Sequence, residues 1–217
     1  MIFAEVNRVP CLSMNAIPVI KRLGCEHYET VWQAMRQFTD QRLAETNDEI
    51  WLLEHPPVYT LGQGGKEKHI LRANGIPVIR SDRGGQVTYH GPGQIIAYVL
   101  LDIRQRNGGL RFLVRQLEEA VIRLLSDYGI KGCGNEKAPG VYVQGAKIAA
   151  MGLRLRRGCT YHGVSLNVAM DLSPFLDIDP CGYAGLAVTQ MADYGVTADV
   201  KEIMQPFALH LQKTLAK

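Results

Sequence analysis

RGGQVTYHGPGQIIAYVLLDI, from Arg83 to Ile103, makes two opposite demands on the backbone, and the fold is read outward from it. Residues Gly84 to Gln94 hold four glycines and a proline in eleven positions, which suits neither a helix nor an ordinary strand interior. They lead into Ile95–Ile103, the most apolar run in the chain, which reads as a buried strand. Backbone bare of side chains beside a rigid core strand lets a ligand come close. Thr88, Tyr89 and His90 stand between the glycines and can hydrogen-bond. As plain architecture, the same stretch is a long hairpin with a glycine-rich turn.

Upstream, Val19–Leu23 is a short strand ended by Gly24. Glu26 to about Arg42 carries Tyr28, Val31, Met35 and Phe38 at helical spacing, an amphipathic helix with one core face. Ile50–Glu54 is a strand stopped by His55-Pro56-Pro57, because neither proline can donate to a ladder. Val58–Leu61 follows, then a glycine-rich loop to His69, then Val78–Arg80. Downstream, Leu110–Tyr128 is a strong helix with Leu113, Leu117, Val121 and Leu124 on one face and Gly129 placed to cap it. Val141–Val143 and Lys147–Met151 join through Gln144-Gly145 as a tight hairpin. Leu153–Arg157 extends the second strand, Gly158-Cys159 turns, and Thr160–Val168 returns. Asp171–Gly185 is an irregular loop. A last helix begins near Asp199, where Asp199 and Glu202 form a capping pattern, and Pro206 is expected to kink it or start another. Hairpins with segregated helices predict an α+β fold, a single domain with a mixed or antiparallel central sheet flanked by helices.

At 217 residues the chain is long enough for one sizeable domain. A net charge of +3 is too small to imply nucleic-acid binding, and no apolar run nears the ~20 residues that span a bilayer. The five cysteines are odd in number and widely spaced, with no C-x-x-C, which points to a reducing compartment rather than a disulfide framework or zinc site. Residues 1–18 read as an extension without secretory or transit features, and Met14 is a candidate start.

Three cysteines compete as nucleophiles: Cys181 between proline and glycine in a loop, Cys159 after Arg156-Arg157, and Cys133 between two glycines. A nucleophilic thiol needs access and a nearby cation, whereas most free cysteines are small core hydrophobes. Lys147 stands among Ala146, Ile148, Ala149 and Ala150. It is either a solvent-facing strand lysine or an amine held in an apolar pocket, where it can exchange protons near neutral pH. His90 and His162 each precede a glycine. No metal-ligand spacing joins them, so no metal is assigned. Arginines and lysines from Arg104 to Arg157 form a solvated face or, if they converge, a dock for an acidic protein or a phosphate.

Five stretches together resemble one family, the lipoyl(octanoyl) transferases: EHPPVYTLGQ (Glu54–Gln63), RGGQVTYHGPGQ, the run from Gly140 to Gly152, HGVSLNV (His162–Val168) and DLSPFLDIDPCGYAG. They fall in the family's order. The resemblance implies the biotin/lipoate-protein ligase-like fold, with residues 19–217 as one catalytic domain and a ligase-like core over about 44–217. It implies transfer of an octanoyl group from octanoyl-acyl carrier protein to a lysine on lipoyl domains of 2-oxoacid dehydrogenases or the glycine-cleavage H protein. The expectation is a cytoplasmic reaction, with no cofactor, nucleic acid or membrane. It implies Cys181 as acyl-thioester nucleophile and Lys147 as its partner. The substrate is placed against Arg83, Gly84, Gly85, Gln86, Val87, Thr88, Tyr89 and His90, against Ala150, Met151 and Gly152, and against Gly163, Val164 and Ser165. The alternatives are an ATP-dependent ligase of the same fold and a non-catalytic module that binds acylated carrier protein.

Overall fold

The computed structural model describes residues 17–104, 106, 108–179 and 186–216. Cys181, Met14 and nearly all of the expected N-terminal extension lie outside them. The described residues form a seven-stranded sheet in the order β1-β2-β6-β10-β9-β8-β7 and a three-stranded sheet in the order β4-β3-β5. The large sheet comprises β1 (Val19–Cys25), β2 (Glu49–Glu54), β6 (Gln94–Leu100), β7 (Cys133–Gly134), β8 (Gly140–Val143), β9 (Ala146–Arg156) and β10 (Cys159–Asn167). The small one comprises β3 (Val58–Leu61), β4 (Val78–Arg80) and β5 (Val87–His90). Only β1 and β2 are parallel in the large sheet, so the mixed α+β architecture read from the sequence is the one observed.

The pleat explains how the sheet is covered on both faces. Along β6, Ile95, Ala97 and Val99 face helices α2 (Gly109–Asp127) and α3 (Val200–Leu215), while Ile96, Tyr98 and Leu100 face helix α1 (Tyr28–Asp40). Strand β2 divides the same way, with Ile50 and Leu52 on one side and Trp51 and Leu53 on the other. Helix α2 buries Leu113, Leu117, Val121 and Leu124, the face its spacing predicts, and Gly129 follows it at φ 72°. At α3, the Asp199 side chain accepts from the Glu202 N–H and the Glu202 carboxylate accepts from the Asp199 N–H.

Four details depart from the sequence reading. The stretch Arg83–Ile103 is not a hairpin: β5 pairs with β3 in the small sheet, while β6 pairs with β2 and β10 in the large one. Gly91-Pro92-Gly93 therefore carries the chain from one sheet to the other. Strand β1 continues through Gly24 to Cys25, absorbing the glycine as a register shift after Arg22. The turn after β9 is Arg157-Gly158, both at positive φ, so Cys159 is the first residue of β10 and is buried. Pro206 lies inside an unbroken α3, where burial of Ile203, Phe207 and Leu211 on one face outweighs the backbone bond that proline removes. The Gln144-Gly145 hairpin forms as expected, with φ of 50° and 86°, the positive pair that a two-residue turn requires.

Candidate active site

A cavity opens where the small sheet meets β9 and β10. Antiparallel pairing creates its floor: Gly152 faces Gly163, Met151 faces Val164, and Ala150 faces Ser165. Two sequence motifs more than ten residues apart thus become one surface. The glycine loop docks on that floor backbone to backbone. The Gly84 N–H donates to the Leu153 carbonyl at 3.0 Å. A Cβ on Gly84 would stand 3.1 Å from that oxygen, and a Cβ on Gly152 would stand 3.2 Å from the Gly84 oxygen. Side chains on either strand would hold the loop away.

Of the expected substrate contacts, Arg83, Gly85, Gln86, Val87, Thr88, His90, Ala150, Met151, Gly152, Gly163, Val164 and Ser165 line the cavity together with Lys147. Gly84 stands behind the lining, and Tyr89 turns away to pack on Tyr59 and Phe175 with ring centroids 5.6 and 5.5 Å apart. Ile96, Ile148, Val164, Phe175 and Val188 make much of the wall apolar.

Lys147 is 5% exposed, which removes the reading of a solvent-facing strand lysine. Its Nζ donates to the Pro139 carbonyl at 3.3 Å and lies 5.2 Å from the Tyr142 ring centroid. Its backbone is tied to the chain just beyond residue 185: the Lys147 N–H donates to the Ala187 carbonyl at 2.8 Å, and the Thr189 N–H donates to the Lys147 carbonyl at 3.0 Å. On the other side of 180–185, the Asp179 N–H donates to the His69 carbonyl at 2.8 Å. Ala187 and Thr189, which follow Cys181 by a few positions in the chain, thus bond directly to the strand of Lys147.

A buried polar network braces the wall. Arg83 donates through Nε to Thr60 Oγ1 at 2.9 Å and through its terminal nitrogens to the carbonyls of Gly84, Thr60 and Gln86, which holds the glycine loop in shape. Thr60 Oγ1 stands 3.4 Å from His90 Nε2, and His90 Nδ1 meets Gln94 Oε1 at 2.7 Å. Gln94 donates to Asn167, whose amide donates to the Thr189 carbonyl. The chain of bonds therefore runs from Arg83 to the partner segment of Lys147. His55 bonds the Tyr98 hydroxyl at 2.7 Å and the Glu26 carbonyl. Burial pushes the His55 imidazolium down to about 4, with the Glu26 carbonyl opposing, and pushes His90 down to about 3, helped by His55.

His162 is built differently. It has φ 60° in the middle of β10, a conformation that costs an L-residue roughly 1–2 kcal/mol. Consecutive strand side chains normally alternate, yet Tyr161 and His162 both reach Asp82, the tyrosine by a short hydroxyl bond and His162 Nε2 at 2.9 Å. The Trp32 indole adds a third donor at 2.8 Å. Burial alone would raise the Asp82 carboxyl, but these three donors hold it well below the usual carboxylate range. Burial lowers His162, and the Asp82 bond opposes that. Asp82 and Tyr28, whose ring stacks on both His90 and His162, were missed by sequence reasoning. The signals available were a carboxylate just before the glycine loop and an aromatic on the helix face read as plain core.

Of the described cysteines, only Cys159 fits the reading of a small core hydrophobe. Cys159 is buried, and burial raises its thiol; Cys133 and Cys25 are exposed on other elements. The basic residues of the second half do not all converge: Arg104, Arg106, Arg123 and Arg156 pair with Asp102, Asp48, Glu119 and Asp40. Among the described residues no helix is long and apolar enough to cross a membrane.

The sheet, the glycine loop on its floor and the buried lysine define a class. Residues 27–212 match the model of the lipoyl protein ligase A/B catalytic domain, and the chain belongs to that family. Among its relatives, the octanoyltransferase of Nitrosomonas europaea is 60% identical over 185 residues, 85% of this chain and 90% of that one. The octanoyltransferase of Dechloromonas aromatica is 57% identical over 198 residues, 91% of this chain and 97% of that one. A solved structure of lipoate-protein ligase A bound with ATP shares the fold, with a TM-score of 0.77 at 15% identity over 92% of this chain and 86% of that one.

Proposed function

We propose that this chain is an octanoyltransferase that moves an octanoyl group from octanoyl-acyl carrier protein to a specific lysine of a lipoyl domain, through a thioester on Cys181. The acceptors are the lipoyl domains of 2-oxoacid dehydrogenases and the glycine-cleavage H protein, and the compartment is the cytoplasm. The single observation that carries this reading is the buried Lys147, set in the wall of a largely apolar cavity and hydrogen-bonded to the segment that follows Cys181. The name its relatives share supports the same reaction.

The chemistry follows from those residues. The Cys181 thiolate, favoured by the Lys147 ammonium, attacks the donor thioester, and Lys147 gives its proton to the leaving carrier thiolate. One thioester replaces another, so this step is nearly balanced. The acceptor amine then attacks the acyl-enzyme, the C–S bond breaks as the C–N bond forms, and Lys147 takes a proton back. An amide is the product, which makes the second step downhill without ATP. The apolar wall holds the chain at about 0.8 kcal/mol per buried CH₂.

The test is transfer from octanoyl-carrier protein to an isolated lipoyl domain with ATP omitted. Full transfer is expected. Activity only with free octanoate and ATP would assign adenylate-forming ligase chemistry, and binding of acylated carrier protein without transfer would leave a binding module.

A further inference from the structure

Two histidines, His90 and His162, line the cavity, His55 packs behind against His90, and their bonding separates the three. His55 uses both ring nitrogens, on Tyr98 and Glu26, and His90 uses both, on Thr60 and Gln94. His162 uses one. With Nε2 donating to Asp82, its Nδ1 carries the lone pair, and that atom is buried with no hydrogen-bond partner among the described residues. The Gln86 amide oxygen is the other orphaned polar atom in the lining, but an amide does not take up a proton. A buried imidazole nitrogen left unsatisfied in a built pocket calls for an explanation.

The proton count of the reaction proposed above supplies one. The lysine of the acceptor arrives as an ammonium and ends as an amide N–H, so it sheds two protons. After the first half-reaction Lys147 is neutral and takes one of them, which restores the Cys181 thiolate and Lys147 ammonium. The second has no assigned acceptor.

We propose that His162 Nδ1, oriented by Asp82, is that acceptor: it takes a proton from the incoming ammonium, directly or through one water, and passes it to solvent after the amide forms. The resulting imidazolium sits against a carboxylate already held ionised by Trp32 and Tyr161. Its other charged or titratable neighbours are Arg83, Arg154, His55, His90 and the phenols Tyr28 and Tyr98, whose rings pack on the imidazole. His162 is neutral before the step, as an acceptor must be, because burial lowers it. Asp82 is a positioning residue, since it acts through the ring.

The inference rests on the proposed acyl transfer, and its test is chosen to fail separately. A small octanoyl thioester is the donor, and two acceptors are compared at pH 7: an isolated lipoyl domain, whose lysine arrives charged, and hydroxylamine, which arrives neutral and has only one proton to place. His162→Asn suits the positive φ and keeps a polar side chain, but it cannot be protonated. The ratio of lipoyl-domain transfer to hydroxylamine transfer should fall about 10²-fold, the lower end of what a general base supplies. Should that variant not fold, Asp82→Asn decides by the same ratio, expected to fall at least ~10-fold, because an amide can hold the ring in the tautomer with Nδ1 protonated. An unchanged ratio, whether both activities persist or fall together, overturns the proposal. The wild-type mass after incubation with donor alone reports the Cys181 thioester independently, so failure of that thioester is read apart from the ratio.

Discussion

The two faces of the large sheet are made by the same strands and do opposite work. On one, Ile95, Ala97, Val99, Ile50 and Leu52 meet the aliphatic stripes of α2 and α3. On the other, residues one step along the same strands meet α1 and the small sheet, and there Tyr98 bonds His55 while a cavity opens beside Arg83, His90, Lys147 and His162. The pleat lets one set of strands carry stability outward on one side and hold ionisable groups in place on the other. Buried polar groups on the second face are almost all satisfied, so they rigidify it at little net gain. The division predicts that mutations on the first face unfold the protein, and mutations on the second disable it while folded.

The largest effect belongs to Lys147→Arg. The positive charge stays, but a guanidinium does not release a proton in this pH range. Turnover should drop by at least ~10² with the unfolding midpoint little changed, while iodoacetamide alkylation of Cys181 at pH 7 stays near wild type. Full turnover would make the lysine an electrostatic or structural residue. On the opposite face, Leu117→Ala removes a fully buried side chain from α2 and should cost ~2–5 kcal/mol in urea unfolding. The activity of the folded fraction should stay within about threefold, since the side chain faces away from the cavity. A selective loss of activity there would join the two faces that the sheet separates.

Acid should act on the cavity face first. An unfolded histidine titrates near 6.5, whereas folded His55 and His90 are held down to about 4 and about 3. Their contribution is full above pH 6.5 and is lost as pH falls, because the unfolded chain then binds protons that the folded one does not. At pH 5 the loss is on the order of 2 kcal/mol each. Urea midpoints at pH 7 and pH 5 check this, and equal midpoints would mean the two rings are not neutral in the fold. The smallest effect is salt. Because four of the expected docking arginines are already paired with carboxylates, raising salt should weaken use of octanoyl-carrier protein only ~2-fold more than use of a small octanoyl thioester. A tenfold difference would restore a strongly basic docking face.

What was legible in the sequence was local. The Gln144-Gly145 hairpin, the stripe of α2 and the Asp199–Glu202 cap each depend on residues a few positions apart, and each appears where it was read. What was illegible was pairing at a distance. Nothing within Arg83–Ile103 says that β5 joins β3 while β6 joins β2 and β10. The turn before β10 was misplaced by one residue, since Arg157 takes the positive φ that Gly158-Cys159 was expected to supply, and this moves Cys159 into the core. At the site, Lys147, His90 and the glycine motifs announced themselves by composition. Asp82 did not, because its role comes from Trp32 and Tyr161, which lie far from it in the chain. His90 and His162 look alike in sequence, each before a glycine, and only their partners tell them apart.

The central claim is that the octanoyl group passes through Cys181. Intact-mass and peptide mass spectrometry of the protein incubated with octanoyl-carrier protein, without ATP, tests it most directly. The account predicts one octanoyl group on the Cys181 peptide, absent in Cys181→Ser, retained in Cys159→Ser, and passed to a lipoyl-domain lysine when that acceptor is added. An adduct on another residue, or transfer to the lipoyl domain that persists in Cys181→Ser, would contradict it.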